Sequence, residues 1–270
     1  MAKDPARTVV NLRRAYFECR YGQLHVRTAF PSTGGFDEHT PLVCLHENPR
    51  SSRSYETLLP QIGTDRSVYA CDTPGCGESD APPAPPGIRD YAEAIGDFLD
   101  ALRLREADVI GIGSGAAMAV ELAIARPRGV RRLVLAGVPL VAGEAGEPWP
   151  VPAAADGTHL AREWRRSLVA RGEGEPLEAL AAGFAIELAT GPQAGWVERA
   201  IRAWPAVQRL PLVNQRALLL KLRGTWGESA SGAARLLPTA VLEEVAGEGP
   251  GFIAAQPAAI ATRIRRFLDR

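Results

Sequence analysis

Short, continuously apolar runs alternate along the chain with stretches whose apolar residues recur at helical spacing. Pro41–His46, Ser67–Asp72, Asp108–Gly111 and Arg131–Gly137 read as strands covered on both faces, which need no polar alternation. Arg53–Ile62, Ile88–Leu104 and the Ala-, Met-, Val- and Leu-rich run after Gly113 read as helices. Strands alternating with helices in this way predict an α/β fold with a mostly parallel sheet and right-handed crossovers. Ala15–Phe30 differs, alternating apolar and polar residues around Tyr21–Gly22–Gln23, and predicts an antiparallel hairpin. Residues 1–12 read as a loose leader.

The rhythm breaks over residues 143–213, which are rich in Gly, Pro, Ala and Trp with helical patches near His159–Ala170, Pro176–Leu188 and Ala194–Trp204. We expect an inserted helical cap there, with residues 1–142 and 214–270 forming the core. Arg216–Leu222 and Thr239–Val245 read as two returning strands, and Gln256–Leu268 as a closing amphipathic helix.

Composition narrows the function more than the fold. The formal charge of the 270 residues is zero, so nothing invites nucleic acid or an acidic membrane surface. No apolar run reaches the ~18–20 residues of a membrane span, and the first residues lack the apolar core of a signal peptide. The four cysteines, Cys19, Cys44, Cys71 and Cys76, have no metal-ligand spacing. A cytoplasmic protein with reduced thiols and no cofactor or metal is expected. Nothing in the composition opposes a homodimer.

Candidate chemistry centres on Gly111–Ile–Gly–Ser–Gly115, a glycine-rich turn between a strand and a helix. It lacks the Lys–Ser/Thr ending and the spacing of a phosphate loop. Taken with Leu45–His–Glu–Asn–Pro49, Asp72–Thr–Pro–Gly–Cys–Gly–Glu–Ser79, Arg131–Arg–Leu–Val–Leu135 and Gln256–Pro257, it gives the chain its family likeness. The sequence resembles the α/β-hydrolase superfamily over nearly its whole length. The His–x–Asn–Pro run looks particularly like the HGNP segment of haloalkane dehalogenases and related epoxide hydrolases.

That resemblance implies a nucleophile at the elbow, an acid after a later strand and a histidine after the last one. The matching positions are Gly113 for the nucleophile, the vicinity of Ser229 and Ala230 for the acid, and Pro250 for the histidine. No histidine follows His159, so the triad cannot be assembled in the family's order. Ser114 is displaced by one position, with β-branched Ile112 two residues before it, which strains an elbow. It reads as a helix N-cap or as a donor to an oxyanion.

The resemblance places the pocket at the carboxyl ends of the strands, beneath the cap. Glu47 stands where the family usually carries Gly; a carboxylate in an apolar cleft is suited to shuttling a proton. Asn48 is expected to hold a carbonyl or enolate oxygen, or else to form an Asx turn, and Arg50 to clamp a substrate carboxylate. His46, Gly113, Trp149, His159 and Trp226 complete the expected lining, with the tryptophans of the cap shaping an apolar pocket. The leading expectation is an enzyme without covalent triad chemistry: a lyase, cyclase or isomerase acting by acid–base catalysis on a small, largely apolar carbonyl-containing or cyclic substrate. The alternatives are an ester or epoxide hydrolase using activated water or Ser114, and a non-catalytic small-molecule binding protein.

Overall fold

A single eight-stranded sheet runs through the computed structural model, which describes residues 10–32, 39–140, 152–169, 171 and 176–270. The strands are β1 (Val10–Cys19), β2 (Gly22–Pro31), β3 (Leu42–Leu45), β4 (Val68–Cys71), β5 (Ala107–Ile112), β6 (Val130–Ala136), β7 (Arg216–Arg223) and β8 (Ala240–Glu248). Their order across the sheet is β1-β2-β4-β3-β5-β6-β7-β8. β1 and β2 pair antiparallel, β2 joins β4 antiparallel, and the rest are parallel.

Helices cover both faces. In chain order they are α1 (Leu59–Ile62), α2 (Ile88–Ala101), α3 (Ser114–Ala125), α4 (Thr158–Val169), α5 (Leu177–Thr190), α6 (Ala194–Ala203), α7 (Ala206–Arg209), α8 (Thr225–Leu236), α9 (Phe252–Ala255) and α10 (Pro257–Leu268). Neighbouring β5 residues feed opposite cores: Val109 packs with Phe98, Met118 and Leu133 below α2 and α3, whereas Ile110 packs with Leu58, Phe252 and Ile264 below α1, α9 and α10. Burying each such side chain stabilises the fold by about 1.5–3 kcal/mol. This two-sided burial is why β5 is apolar from Val109 to Ile112; Asp108, buried near its start, is paired with Arg131.

Three differences from the sequence reading have local causes. β1 starts at Val10, inside the stretch read as a leader, because Val10 pairs with Pro31 at the far end of the hairpin; residues 1–9 lie outside the described residues. Arg53–Ile62 is not one helix but a 3-10 turn at Ser52–Tyr55 followed by α1. Pro60 lacks the N–H that would continue a helix through it, and the Tyr55 hydroxyl donates to the Leu45 carbonyl at 2.8 Å, tying the turn to β3. α8 lies between β7 and β8, where the sequence reading assigned no element; its buried face is Gly227, Ala230 and Ala233, residues too small to announce an apolar stripe.

Candidate functional site

The end of β5 sets the centre. Gly113 bends the chain with φ 54° and ψ −119°, a conformation costly for any residue with a Cβ, and α3 begins at the next residue. The small neighbours are required by contact: a Cβ on Gly111 would lie 2.4 Å from the Gly115 carbonyl oxygen, and one on Gly115 would lie 2.1 Å from the Leu45 carbonyl oxygen. Gly113 faces Glu47, and a Cβ added to it would stand 2.9 Å from the Glu47 Cβ. The space that a side chain at the bend would enter is thus bordered by Glu47, delivered from the end of β3.

Ser114 is the first residue of α3, not its N-cap as the sequence suggested; Gly113 holds the cap position. The Ser114 Oγ instead crosses to the β3 loop, accepting the Asn48 N–H at 2.8 Å and donating to the His46 carbonyl at 3.4 Å. His46 is fully buried, and both ring nitrogens are engaged: Nδ1 lies 2.9 Å from the Glu47 carbonyl, and Nε2 accepts the Thr73 N–H at 2.9 Å. With Nε2 accepting, Nδ1 must carry the proton, so the ring is neutral, and burial depresses its basicity. His46 braces the loop that carries Glu47.

Glu47 is 5% exposed. Burial pushes its carboxyl up to about 7, against the pull of Arg50 and of the Ser54 hydroxyl. Oε1 accepts from Ser54 Oγ at 3.2 Å and lies 3.4 Å from Arg50 Nε, while Oε2 is buried with no partner. A carboxyl poised near neutrality with one oxygen uncommitted is equipped to take and return a proton.

The segment between β6 and β7 is fastened onto this loop at three points. Asn48 Nδ2 donates to the Ala194 carbonyl at 2.9 Å, and Asn48 forms no Asx turn, because the Arg50 N–H that its Oδ1 would accept goes to the Glu47 carbonyl at 2.9 Å. The Thr190 hydroxyl donates to the Pro49 carbonyl at 3.1 Å, and Arg50 Nε lies 3.3 Å from Glu187 Oε1. Between them opens a cavity of about 350 Å³, with Arg50 and Ser54 on one wall, Ala182 and Ile186 of α5 opposite, and Pro250 at one end. Ser51, Arg53, Glu56 and Thr57 add polar lining, and of the polar residues Arg50 and Ser54 also touch Glu47 Oε1, so Glu47 lies behind them.

The structure brings Glu47, Asn48, Arg50, His46, Gly113 and Ser114 together, and leaves other expected residues elsewhere. The His159 Nδ1 accepts the Ala154 N–H at 3.1 Å at the start of α4. Trp226 packs against Gly137, just after β6, where its ring would stand 2.6 Å from an added Cβ. Trp149 lies outside the described residues. Two tryptophans expected in the cap are packing residues: Trp164 meets Phe184 at 5.2 Å between ring centres, and Trp204 is buried with its Nε1 donating to Glu121 Oε1 at 2.8 Å. Sequence reasoning missed Ser54, which reaches Glu47 only because a 3-10 turn replaces the expected helix, and Glu187, whose partner Arg50 is far away in the chain. Among the described residues no group of three or more His, Cys, Asp or Glu is placed to hold a metal ion, and no helix is long and apolar enough to cross a membrane.

A mostly parallel eight-stranded sheet, a strand–glycine–helix elbow at its centre and a cavity over the strand ends define an α/β hydrolase-type architecture. The chain belongs to the alpha/beta hydrolase fold family, whose model matches residues 40–190. It is 35% identical over 118 residues to 2-hydroxymuconate semialdehyde hydrolase of Pseudomonas sp. (strain CF600), covering 42% of this chain and 40% of that protein. It is 33% identical over 89 residues to haloalkane dehalogenase of Mesorhizobium japonicum, covering 33% of this chain and 29% of that protein. The matched stretch therefore spans well under half of each relative. Among solved structures, the enol-lactonase from Burkholderia xenovorans LB400 superposes with a TM-score of 0.79 at 18% identity, covering 95% of this chain and 100% of that one.

Proposed function

We propose that this protein is an α/β-hydrolase-fold enzyme working by non-covalent acid–base catalysis, with Glu47 as the proton shuttle. The carrying observation is the Glu47 carboxyl: buried beside the elbow, raised to about 7, with one oxygen unpartnered. Residues 143–213 act as the cap over the cavity. The substrate is small and largely apolar, with a carbonyl or ring oxygen directed at the Arg50 and Ser54 wall. Ser54, whose hydroxyl donates to Glu47 Oε1, relays the proton between Glu47 and the substrate. The N–H groups at the start of α3, with the helix dipole behind them, favour a developing oxyanion. Lyase, cyclase or isomerase chemistry fits these parts, since proton transfer alone is worth roughly 10²–10⁴-fold.

The hydrolase names of the relatives favour a second reading, in which Glu47 activates a water molecule against an ester or epoxide. Ser114 is unsuited as a nucleophile in either reading, because its oxygen is held by Asn48 and His46. The test is metabolite-extract turnover by the wild type and by Glu47→Gln and Glu47→Ala, run in H₂¹⁸O. Consumption of a compound that falls at least about 10²-fold in both variants supports Glu47. Absence of ¹⁸O from the product selects the non-hydrolytic reading, and one ¹⁸O per product selects the hydrolase. Undiminished turnover in both variants defeats the assignment, and recovery of a bound compound chemically unchanged turns the cavity into a binding site.

A further inference from the structure

Where β6 and β7 begin, at the end of the parallel strands opposite Gly113, the surface opens into another cavity, of about 540 Å³. It shares no residue with the cavity beside Glu47. Arg128, Arg131 and Arg216 line it, and Glu106 is the one carboxylate among the described residues that do. The backbone fixes where the arginines stand. Gln215 Nε2 donates to the Ala123 carbonyl at 3.0 Å and to the Pro127 carbonyl at 3.4 Å, which holds the turn carrying Arg128 against the start of β7. The Gly129 carbonyl accepts the Ala107 N–H at 2.9 Å and fastens the same turn to β5.

Arg216 stands directly opposite Arg132 in the β6–β7 ladder, and both guanidiniums lie 5.8 Å from the centre of the Phe267 ring. Like charges directly opposite each other on neighbouring strands destabilise a sheet. Arg132 spends its Nη1 on the Phe267 and Leu268 carbonyls, at 2.5 and 2.7 Å, and burial together with the Arg131 and Arg216 charges weakens its hold on its proton. Arg131 gives Nε and Nη2 to Asp108, at 2.9 and 2.5 Å, and keeps Nη1 uncommitted. Arg128 and Arg216 are exposed, and neither has a carboxylate partner among the described residues. Arg131 and Asp108 cancel, which leaves Arg128, Arg132 and Arg216 against Glu106. A guanidinium is charged at every pH a protein meets, so this excess does not depend on a tautomer.

We propose that this cavity binds a phosphate group, its oxygens bridging Arg128, Arg216 and the Nη1 of Arg131. A dianion relieves the repulsion among cations that the fold holds together, and guanidinium forks match phosphate oxygens in pairs. The cavity is larger than a bare phosphate ion, so a phosphomonoester fits with its organic part beyond the arginines. No side chain of this site belongs to the acid–base machinery around Glu47, so the two assignments stand or fall separately.

The test is calorimetric titration of the full-length protein with inorganic phosphate and with glycerol 2-phosphate, at constant ionic strength so that screening does not change. Each is expected to bind saturably with low-millimolar affinity. Arg128→Met and Arg216→Met are each expected to weaken binding about three- to tenfold, and Glu106→Gln to strengthen it about two- to fivefold. All three side chains are exposed, so the variants keep the fold. Tighter glycerol 2-phosphate identifies a phosphomonoester as the ligand, and tighter inorganic phosphate the free ion. Absence of saturable heat up to roughly 50 mM of either titrant, or equal binding of acetate, overturns the proposal. Wild-type affinity in both arginine variants, or no gain in Glu106→Gln, overturns it as well.

Discussion

Restoring a side chain at the elbow should fail for a reason that can be measured. In Gly113→Ala the new Cβ stands 2.9 Å from the Glu47 Cβ, closer than packed carbons approach, and neither atom is the free end of a flexible side chain. Overpacking of this kind costs about 1–3 kcal/mol. The backbone at φ 54° adds about 1–2 kcal/mol for a residue with a Cβ. The single variant should therefore lose about 2–5 kcal/mol, a fall of roughly 4–10 °C in the unfolding midpoint for a domain of this size. A double-mutant cycle separates the two contributions. Glu47→Gly removes the opposing Cβ and should return the packing part, a coupling of about 1–3 kcal/mol, leaving only the backbone part. Glu47→Ala keeps that Cβ and should return almost nothing, although it removes the same carboxyl. The assay is thermal unfolding by circular dichroism for the wild type, three single variants and two doubles. Additivity within about 0.5 kcal/mol, or relief by Glu47→Ala equal to that by Glu47→Gly, would refute the claim that these two positions exclude each other.

The remaining predictions concern charge and hydrogen bonding. A carboxyl raised from 4.5 to about 7 binds more protons folded than unfolded, so Glu47 makes stability fall as pH rises between those values, by about 3 kcal/mol at most. His46, whose basicity burial lowers, contributes the opposite slope near its ordinary value, so the test is the difference in denaturant midpoint between wild type and Glu47→Gln from pH 4 to 8; a difference flat in pH contradicts the assignment. Ser114→Ala strands the Asn48 N–H and should cost about 1–2 kcal/mol in urea unfolding, while fluorophosphonate labelling stays absent in the wild type and the variant alike. Glu121, 3% exposed, accepts from Trp204 Nε1 at 2.8 Å and from Arg209 at 2.7 Å. Arg209→Met leaves that carboxylate buried with one donor and should cost about 3 kcal/mol, against about 1 kcal/mol for Trp204→Phe, both read from denaturant midpoints.

How much of this was legible beforehand depended on how far apart the interacting residues lie in the chain. The central strands were visible because burial on both faces leaves an apolar run that few other elements produce, as in Leu42–Leu45 and Val109–Ile112. The elbow was visible because its glycines fall close together in the chain, although only Gly111 answers a local contact, with the Gly115 carbonyl, while Gly115 is required by Leu45 of β3. α8 was not, since its packing face is made of Gly and Ala and its start is set by Gly224 at φ 67°, a tertiary and not a periodic signal. In the site, the choice of Glu47 could be made from its position, but the partners that set its behaviour could not. Ser54 comes from the turn that replaced an expected helix, and Glu187 reaches Arg50 from across the chain. Nor could the sequence say that Asn48 is spent on Ala194 and Ser114 on the neighbouring loop. Residue type marks a candidate, but only packing decides whether its polar atoms remain uncommitted.

That distinction bears on which chemistry the elbow now supports. A nucleophile at the bend attacks from the sheet side, rigidly held, and relies on a histidine to remove its proton; here the bend carries Gly113, and no histidine follows His159 in the chain. Glu47 approaches the same space from the end of β3. A carboxyl held near neutrality in a buried setting is protonated about as often as not around pH 7, which weakens it as a nucleophile but matches what general acid–base catalysis requires. Arg50 sharpens the arrangement because it lies between Glu47 and Glu187, 3.4 and 3.3 Å away. A substrate oxygen that draws Arg50 toward the cavity withdraws the cation that favours the ionised form of Glu47, and so raises its proton affinity as the substrate arrives. Under the proposed function, substrate binding and proton uptake would then be coupled through one guanidinium. Arg50→Met should therefore move the acidic limb of the pH–rate profile upward and raise KM, whereas Arg50→Lys, keeping the charge without the fork, should raise KM and leave that limb nearly in place.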